Sequence, residues 1–218
     1  MGKAKKTFRK IWHFLWEEDS IWSWLVNIAL AFLIIKFLIY PGLGFALGTT
    51  HPVVAVVSES MEHNGIKLDA WYDQNEGFYA YYNITEGDFS GYRYKNGFNK
   101  GDIMILIGKK PEKLDKGDVI VFFSSTNQPI IHRIIKEWEV DDDYYFQTKG
   151  DNNPDSIALY VKYNSFVPKG TVGAVELLDE TEIHEDEIVG KAVARVPLLG
   201  YIKIGFVKLM RLIGVVKA

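Results

Sequence analysis

The chain contains no cysteine. Disulfides, thiolate nucleophiles and cysteine-held metals are therefore excluded. It also lacks an excess of either charge. Its 25 basic and 28 acidic residues leave a net charge of -3, which gives no electrostatic footprint for nucleic acid. His13, His51, His63 and His184 show no ligand spacing with His132, so no metal is expected, and the serine chemistry read below requires no organic cofactor. Long apolar runs are missing as well, with one exception at Ile21 to Tyr40.

That exception has the length of a membrane span: 20 residues of helix cover ~30 Å, the thickness of the hydrocarbon layer. Asn27 and Lys36 are its only strongly polar interruptions, and Lys36 lies close enough to one end to snorkel. Trp22, Trp24 and Tyr40 sit where interfacial aromatics belong. Lys3, Lys5, Lys6, Arg9 and Lys10 precede the span, which places the N-terminus in the cytoplasm and the rest outside. A cleaved signal peptide is the rival reading. The run is too long for it, and no clean small-x-small site follows. Ala4 to Trp16 mixes basic residues with Phe8, Ile11, Trp12 and Leu15 at helical spacing, as an interfacial helix would.

Pro41-Gly42-Leu43-Gly44 is expected to end the helix and open a linker. Beyond it come apolar, β-branched runs at Pro52 to Val57, Asp102 to Ile107, Asp118 to Phe123, Pro129 to Glu137, Asp143 to Lys149, Thr171 to Leu178 and Ile188 to Ala194. With no long amphipathic helix between them, they predict a mainly β domain. Residues 65–100 stand apart, with ten aromatic side chains among glycines and acids, and are expected to form a hairpin insertion packing its own aromatic cluster. The alternative is a flap facing substrate or membrane. Asn83-Ile84-Thr85 within it is a glycosylation candidate at Asn83. The tail from Val196 carries Leu199, Ile202, Phe206, Leu209 and Ile213 at spacings of three and four, with Lys203, Lys208 and Arg211 between them. This suits an amphipathic helix on the outer leaflet, with a second span as the alternative. The expected organisation is a basic interfacial segment (1–20), a transmembrane helix (21–40), an extracytoplasmic β-rich domain (41–195) and a membrane-associated tail (196–218). The protein would be a single-pass protein of the cell membrane.

Three short stretches carry chemistry. Val56 to Met61 reads Val-Val-Ser-Glu-Ser-Met, shortly after the apolar run. Ile131 to Ile135 reads Ile-His-Arg-Ile-Ile, and Thr148 to Asp155 reads Thr-Lys-Gly-Asp-Asn-Asn-Pro-Asp. A serine hydroxyl needs a neighbouring base to become a nucleophile. A neutral histidine suits that role near pH 7, and a carboxylate normally fixes its tautomer. Singly, each stretch reads as an exposed hydroxyl, a strand residue or a turn. Jointly, in this order behind an anchor, they resemble a type I signal peptidase. His132, where the bacterial branch has lysine, points to the archaeal and endoplasmic-reticulum branch.

The resemblance implies a signal-peptidase-like β fold and a membrane-bound serine endopeptidase that removes signal peptides from exported preproteins after small-x-small sites. It makes Ser60 the nucleophile and His132 the base. Ser58 and the Ser60 backbone N–H would form the oxyanion hole. Gly117-Asp118, in preference to Gly101-Asp102, matches a structural Gly-Asp box. The acid is open: relatives often carry an aspartate where this chain has Ile157. Asp155 is the first choice and Asp151 the alternative or supporting residue. Glu59 and His63 depart from the pattern, which often has Gly and Pro there. His63 and Lys149 are minor rival bases. Val54, Val56 and Val57 are expected to wall the substrate pockets. The implied partners are secretory preproteins and membrane lipid, with no nucleic acid. Accessory subunits are left open, and the simple domain plan suggests an enzyme acting alone. The competing function is a non-catalytic, membrane-tethered binding module on the same fold. A sortase would need a cysteine, and a prepilin peptidase would need aspartates within its membrane segment; neither is present.

Overall fold

A computed structural model describes residues 2–125, 127–163, 165–201 and 205. The chain divides into two compact units, Met1–Ala46 and Leu47–Ala218.

The first unit is helical. Helix α1 (Gly2–Trp16) leaves Phe8, Ile11, Trp12 and Trp16 exposed. Ser20 caps helix α2 (Ile21–Ile34) by accepting a hydrogen bond from the Ser23 N–H. The Ser23 hydroxyl and the Asn27 amide donate in turn to the Phe14 and Leu15 carbonyls, at 2.5 and 2.8 Å. Asn27, a polar interruption in an apolar run, thus satisfies one carbonyl at the end of α1, as Ser23 satisfies another.

The apolar helix does not stop at Pro41. A π-helical turn (Ile35–Ile39) follows α2, and helix α3 (Tyr40–Leu47) continues through Pro41 and Gly42. The Tyr40 N–H reaches the Ile35 carbonyl, and this locally widened turn accommodates a proline that has no N–H to donate. Gly48 ends the helix in the left-handed region, at φ +64°. The result is one apolar helix, Ile21–Leu47, long enough to cross a membrane and longer than the expected span by one α-helical segment.

The second unit is mainly β. Its larger sheet has the order β1-β2-β10-β3-β4-β5-β9, built from β1 (Val53–Ala55), β2 (Ile103–Ile107), β3 (Val119–Phe123), β4 (Pro129–Val140), β5 (Asp143–Lys149), β9 (Ile183–His184) and β10 (Ile188–Val196). Every pairing in it is antiparallel. A smaller sheet has the order β7-β6-β8, from β6 (Ala158–Lys162), β7 (Ser165–Val167) and β8 (Val175–Asp179). Strands β2 and β3 each follow a Gly-Asp turn whose glycine, Gly101 or Gly117, has a φ near +90°.

Alternation along β4 sorts its side chains onto two faces. Ile130 and Ile134 pack with Ile120, Phe122 and Phe146, while Ile131 packs with Val119, Val121 and Met61. His132 follows the first face and Arg133 the second.

The insertion is helical, not a hairpin. Helix α4 (Leu68–Tyr81) and helix α5 (Glu86–Gly91) bury Trp71, Tyr72, Tyr79, Ile84 and Phe89 against Ile135 of β4. Leu68, Trp71, Tyr72 and Tyr79 recur at helical spacing, so packing on one face overrides the strand preference of aromatic residues. The Thr85–Asp88 capping box starts α5. The expected cluster of aromatics is present; its frame is α-helix. The expected C-terminal helix falls, from residue 202 onward apart from Gly205, outside the described residues.

Candidate active site

Ser60 and His132 meet across the domain. The Ser60 Oγ lies 2.8 Å from His132 Nε2, although 72 residues separate them. Ser60 sits in the turn after β1, and His132 in β4, opposite Ile120 of β3. The other imidazole nitrogen, Nδ1, is hydrogen-bonded to the Glu180 carboxylate.

Glu180 is fully buried just beyond β8. Its backbone joins both sheets, with its N–H on the Ile157 carbonyl at 2.8 Å and its carbonyl accepting from the Thr148 N–H at 2.9 Å. Besides His132, the carboxylate accepts from the Thr148 hydroxyl and the Ile157 N–H, each at 2.9 Å. Every oxygen is satisfied, so a buried acid is held in one orientation. A serine, an imidazole and a carboxylate thus lie in a line that permits proton transfer from hydroxyl to imidazole while fixing the tautomer.

The expected acids lie elsewhere. Asp155 is exposed, and its carboxylate accepts from the Ser156 N–H at 2.7 Å, while the His132 imidazole is engaged by Glu180 and Ser60. Asp151 is buried but belongs to the opposite face of β4. It takes a two-pronged bond from Arg133, Nε to Oδ1 at 2.8 Å and Nη2 to Oδ2 at 2.7 Å, and a third contact from His63 Nε2 at 3.0 Å. Burial alone would raise the Asp151 carboxyl. The Arg133 charge and the bonds from Arg133 and His63 outweigh it and hold the carboxyl at about 2. The choice of Asp155 as the carboxylate on His132 is therefore corrected to Glu180, and Asp151 serves a neighbouring ion pair.

No family model matches the chain. Curated relatives do. A signal peptidase complex catalytic subunit SEC11 from Scheffersomyces stipitis is 27% identical over 170 residues, covering 77% of this chain and 73% of the relative. The protein of the same name from Pyricularia oryzae is 26% identical over 183 residues, 83% of this chain and 77% of its own length. That from Komagataella phaffii is 25% identical over 187 residues, with 83% and 80% covered. The chain is thus similar, over about four-fifths of its length, to proteins named as catalytic subunits of the signal peptidase complex.

Family resemblance would put the acid at position 157, and the structure explains how isoleucine stands there. The Ile157 backbone still serves the site, its N–H donating to the carboxylate that Glu180 brings from another strand. Sequence reading missed Glu180 because it ends an apolar strand, Val-Glu-Leu-Leu-Asp-Glu, with no motif around it. The available signal was the vacancy at 157 itself.

Around the line, the Ser58 hydroxyl lies 3.1 Å from the Ser60 hydroxyl. Gly150 packs so closely that a Cβ there would fall 2.8 Å from His132 Nε2 and from the Ser60 carbonyl. This fixes glycine at 150 by approach, not by backbone angle. A groove of about 480 Å³ opens at Ser60 and His132, with Val54, Ala55, Val57 and Ser58, and Ile130, Leu159 and Leu178, among the residues lining it. Val54 and Val57 line this groove; Val56 is buried in the core just after β1. Asn83 is exposed.

The rival bases are engaged elsewhere. His63 stacks on Trp71 and binds Asp151. The Lys149 ammonium donates to the Gly150 and Asp151 carbonyls at 3.1 and 3.3 Å, and burial pushes it down to about 8 against the pull of Asp151 and Asp155. Among the described residues no cluster of three or more histidines and acids could hold a metal ion.

Proposed function

We propose that this protein is a membrane-anchored serine endopeptidase that removes signal peptides from exported preproteins. The observation that carries the reading is the Ser60–His132 contact at 2.8 Å with a carboxylate on the far side of the imidazole. In this mechanism Ser60 Oγ attacks the scissile carbonyl while His132 Nε2 accepts its proton. Glu180 keeps the proton of neutral His132 on Nδ1 and stabilises the imidazolium once it forms. The Ser58 hydroxyl and the Ser60 N–H stabilise the oxyanion. His132 then protonates the leaving amine, which is the new N-terminus, and water releases the acyl-enzyme by the reverse relay.

Strand β1 stands at the edge of the larger sheet, so an extended substrate can add to it by backbone hydrogen bonds. The apolar groove beside Val54 and Val57 then takes small side chains at the first and third positions before the cut. The helix Ile21–Leu47 anchors the domain, with the basic N-terminus cytoplasmic and the catalytic domain outside. Its relatives are named as subunits of a complex, which makes accessory subunits part of the proposal.

The test is cleavage of a preprotein by the full chain in liposomes. Cleavage after a small-x-small site that falls by at least about 10³-fold in Ser60→Ala and in His132→Ala supports the reading. Cleavage that survives Ser60→Ala refutes it. A parent protein that binds signal peptides without cutting them is the non-catalytic module instead.

A further inference from the structure

The helical insertion presents the faces of its aromatic rings to the basic side chains that hold the active-site turn. His63 lies flat on Trp71, with ring centres 3.8 Å apart and planes within 5°. Its Nε2 contacts Asp151 at 3.0 Å, whereas its buried Nδ1 has no partner among the described residues. Nε2 is the ring nitrogen engaged, and its N–H donates to the carboxylate. The Lys149 ammonium lies over Phe78 and Tyr79, 4.9 and 5.1 Å from the ring centres, while it donates to the Gly150 and Asp151 carbonyls. Trp71 and Tyr79 are almost fully buried, so these faces are closed to a substrate.

The turn so held touches the reacting groups. The Asn152 N–H donates to the Ser60 carbonyl at 2.7 Å, and its side chain to the Glu59 carbonyl at 3.1 Å. Gly150 leaves no room for even a methyl group between itself, His132 Nε2 and the Ser60 carbonyl. A small shift of this turn therefore moves Ser60 relative to His132, and misplacement of reacting groups by about 1 Å costs on the order of 10²-fold in rate.

We propose that the insertion is a positioning element for the Gly150–Asp151 turn, with His63 and Lys149 as the positioning residues that connect its aromatic faces to Ser60 and His132. The proposal rests on the peptidase reading only for its effect on rate. Its effect on the turn is independent of cleavage.

The experiment compares the full-length parent with His63→Phe, His63→Gln and Lys149→Met. It reads kcat and KM on a signal-sequence peptide, and amide hydrogen exchange at Asn152 and Asn153, whose N–H groups bond to the Ser60 and Gly150 carbonyls. Phenylalanine keeps the ring but removes the donor; glutamine restores a donor without the ring. The expected result for His63→Phe and Lys149→Met is a kcat roughly tenfold lower at unchanged KM, with exchange at Asn152 and Asn153 faster by a similar factor and global stability little changed. Glutamine recovers part of both losses. Should His63→Phe fail to fold, Lys149→Met decides. Unchanged exchange and kcat in the folded variants overturn the proposal, as does a loss that only follows the unfolded fraction. Faster exchange in a protein whose parent cuts no signal sequence sinks the peptidase reading and leaves the coupling standing.

Discussion

His132 and Arg133 are neighbours in β4, and each meets a buried carboxylate, yet the two pairs do different work. His132 faces the groove and shares Glu180 with Thr148 and the Ile157 N–H. Its free side is the nitrogen that meets Ser60. Arg133 faces the insertion, where all its donors are used: two on Asp151 and the rest on the Arg93, Tyr94 and Gly117 carbonyls. A neutral imidazole can give and take a proton near neutral pH; a guanidinium cannot. The first pair leaves one valence open for chemistry, and the second leaves none and holds loops. One residue of offset in a strand, which reverses the face, separates a reactive pair from a structural one.

The sharpest way to break this comparison is to neutralise each carboxylate. Glu180→Gln is expected to lower kcat by about 10⁴-fold with the fold intact, because the amide favours the wrong histidine tautomer. Asp155→Asn should stay within about twofold of the parent, since its carboxylate is exposed and its hydrogen bond is to the adjacent Ser156 N–H. Equal losses in both would overturn the assignment of Glu180. Asp151→Asn acts on the other pair and should appear as stability, about 3–5 kcal/mol in chemical unfolding, because it strands a buried Arg133 charge. The sign with pH follows. The folded Asp151 carboxyl is depressed from 3.8 to about 2, so its contribution is present above the ordinary carboxylate range and is lost as pH falls through the folded value. A melting-temperature series from pH 5 to about 2 should show that acid slope in the parent and a shallower one in Asp151→Asn, where Asp179, also held below the ordinary carboxylate range, still contributes.

Smaller effects refine the picture. Ser58→Ala removes one oxyanion donor and should cost about 10²-fold in kcat at similar KM, read by peptide cleavage. A loss confined to KM would assign Ser58 to binding instead. Thr85→Ala removes the capping box of α5 and should cost about 1 kcal/mol of stability in denaturant unfolding, with cleavage per folded molecule unchanged.

Much of this was legible in the chain. The apolar run, the Gly-Asp turns and the β-branched runs declare themselves locally, through composition and backbone angle. Ser60 and His132 were legible because each sits in a distinctive stretch. Three things were not. Pro41 reads as a helix stop, but a π-turn carries the helix through to Gly48. The aromatics of residues 65–100 read as strand, but their helical spacing finds a common face on Ile135. Glu180 has no local signal, since its role depends on pairings of two sheets that bring it to a histidine 48 residues earlier.

The sequence alone determined the apolar helix, the β-rich domain that follows it and the serine and histidine that meet in the fold, because these rest on short-range pattern and residue chemistry. Only the tertiary structure decided which carboxylate serves His132, which serves Arg133, and that the aromatic insertion backs the turn between them. Those choices depend on strand face and on contacts between distant segments, and a carboxylate's nearness along the chain does not report either.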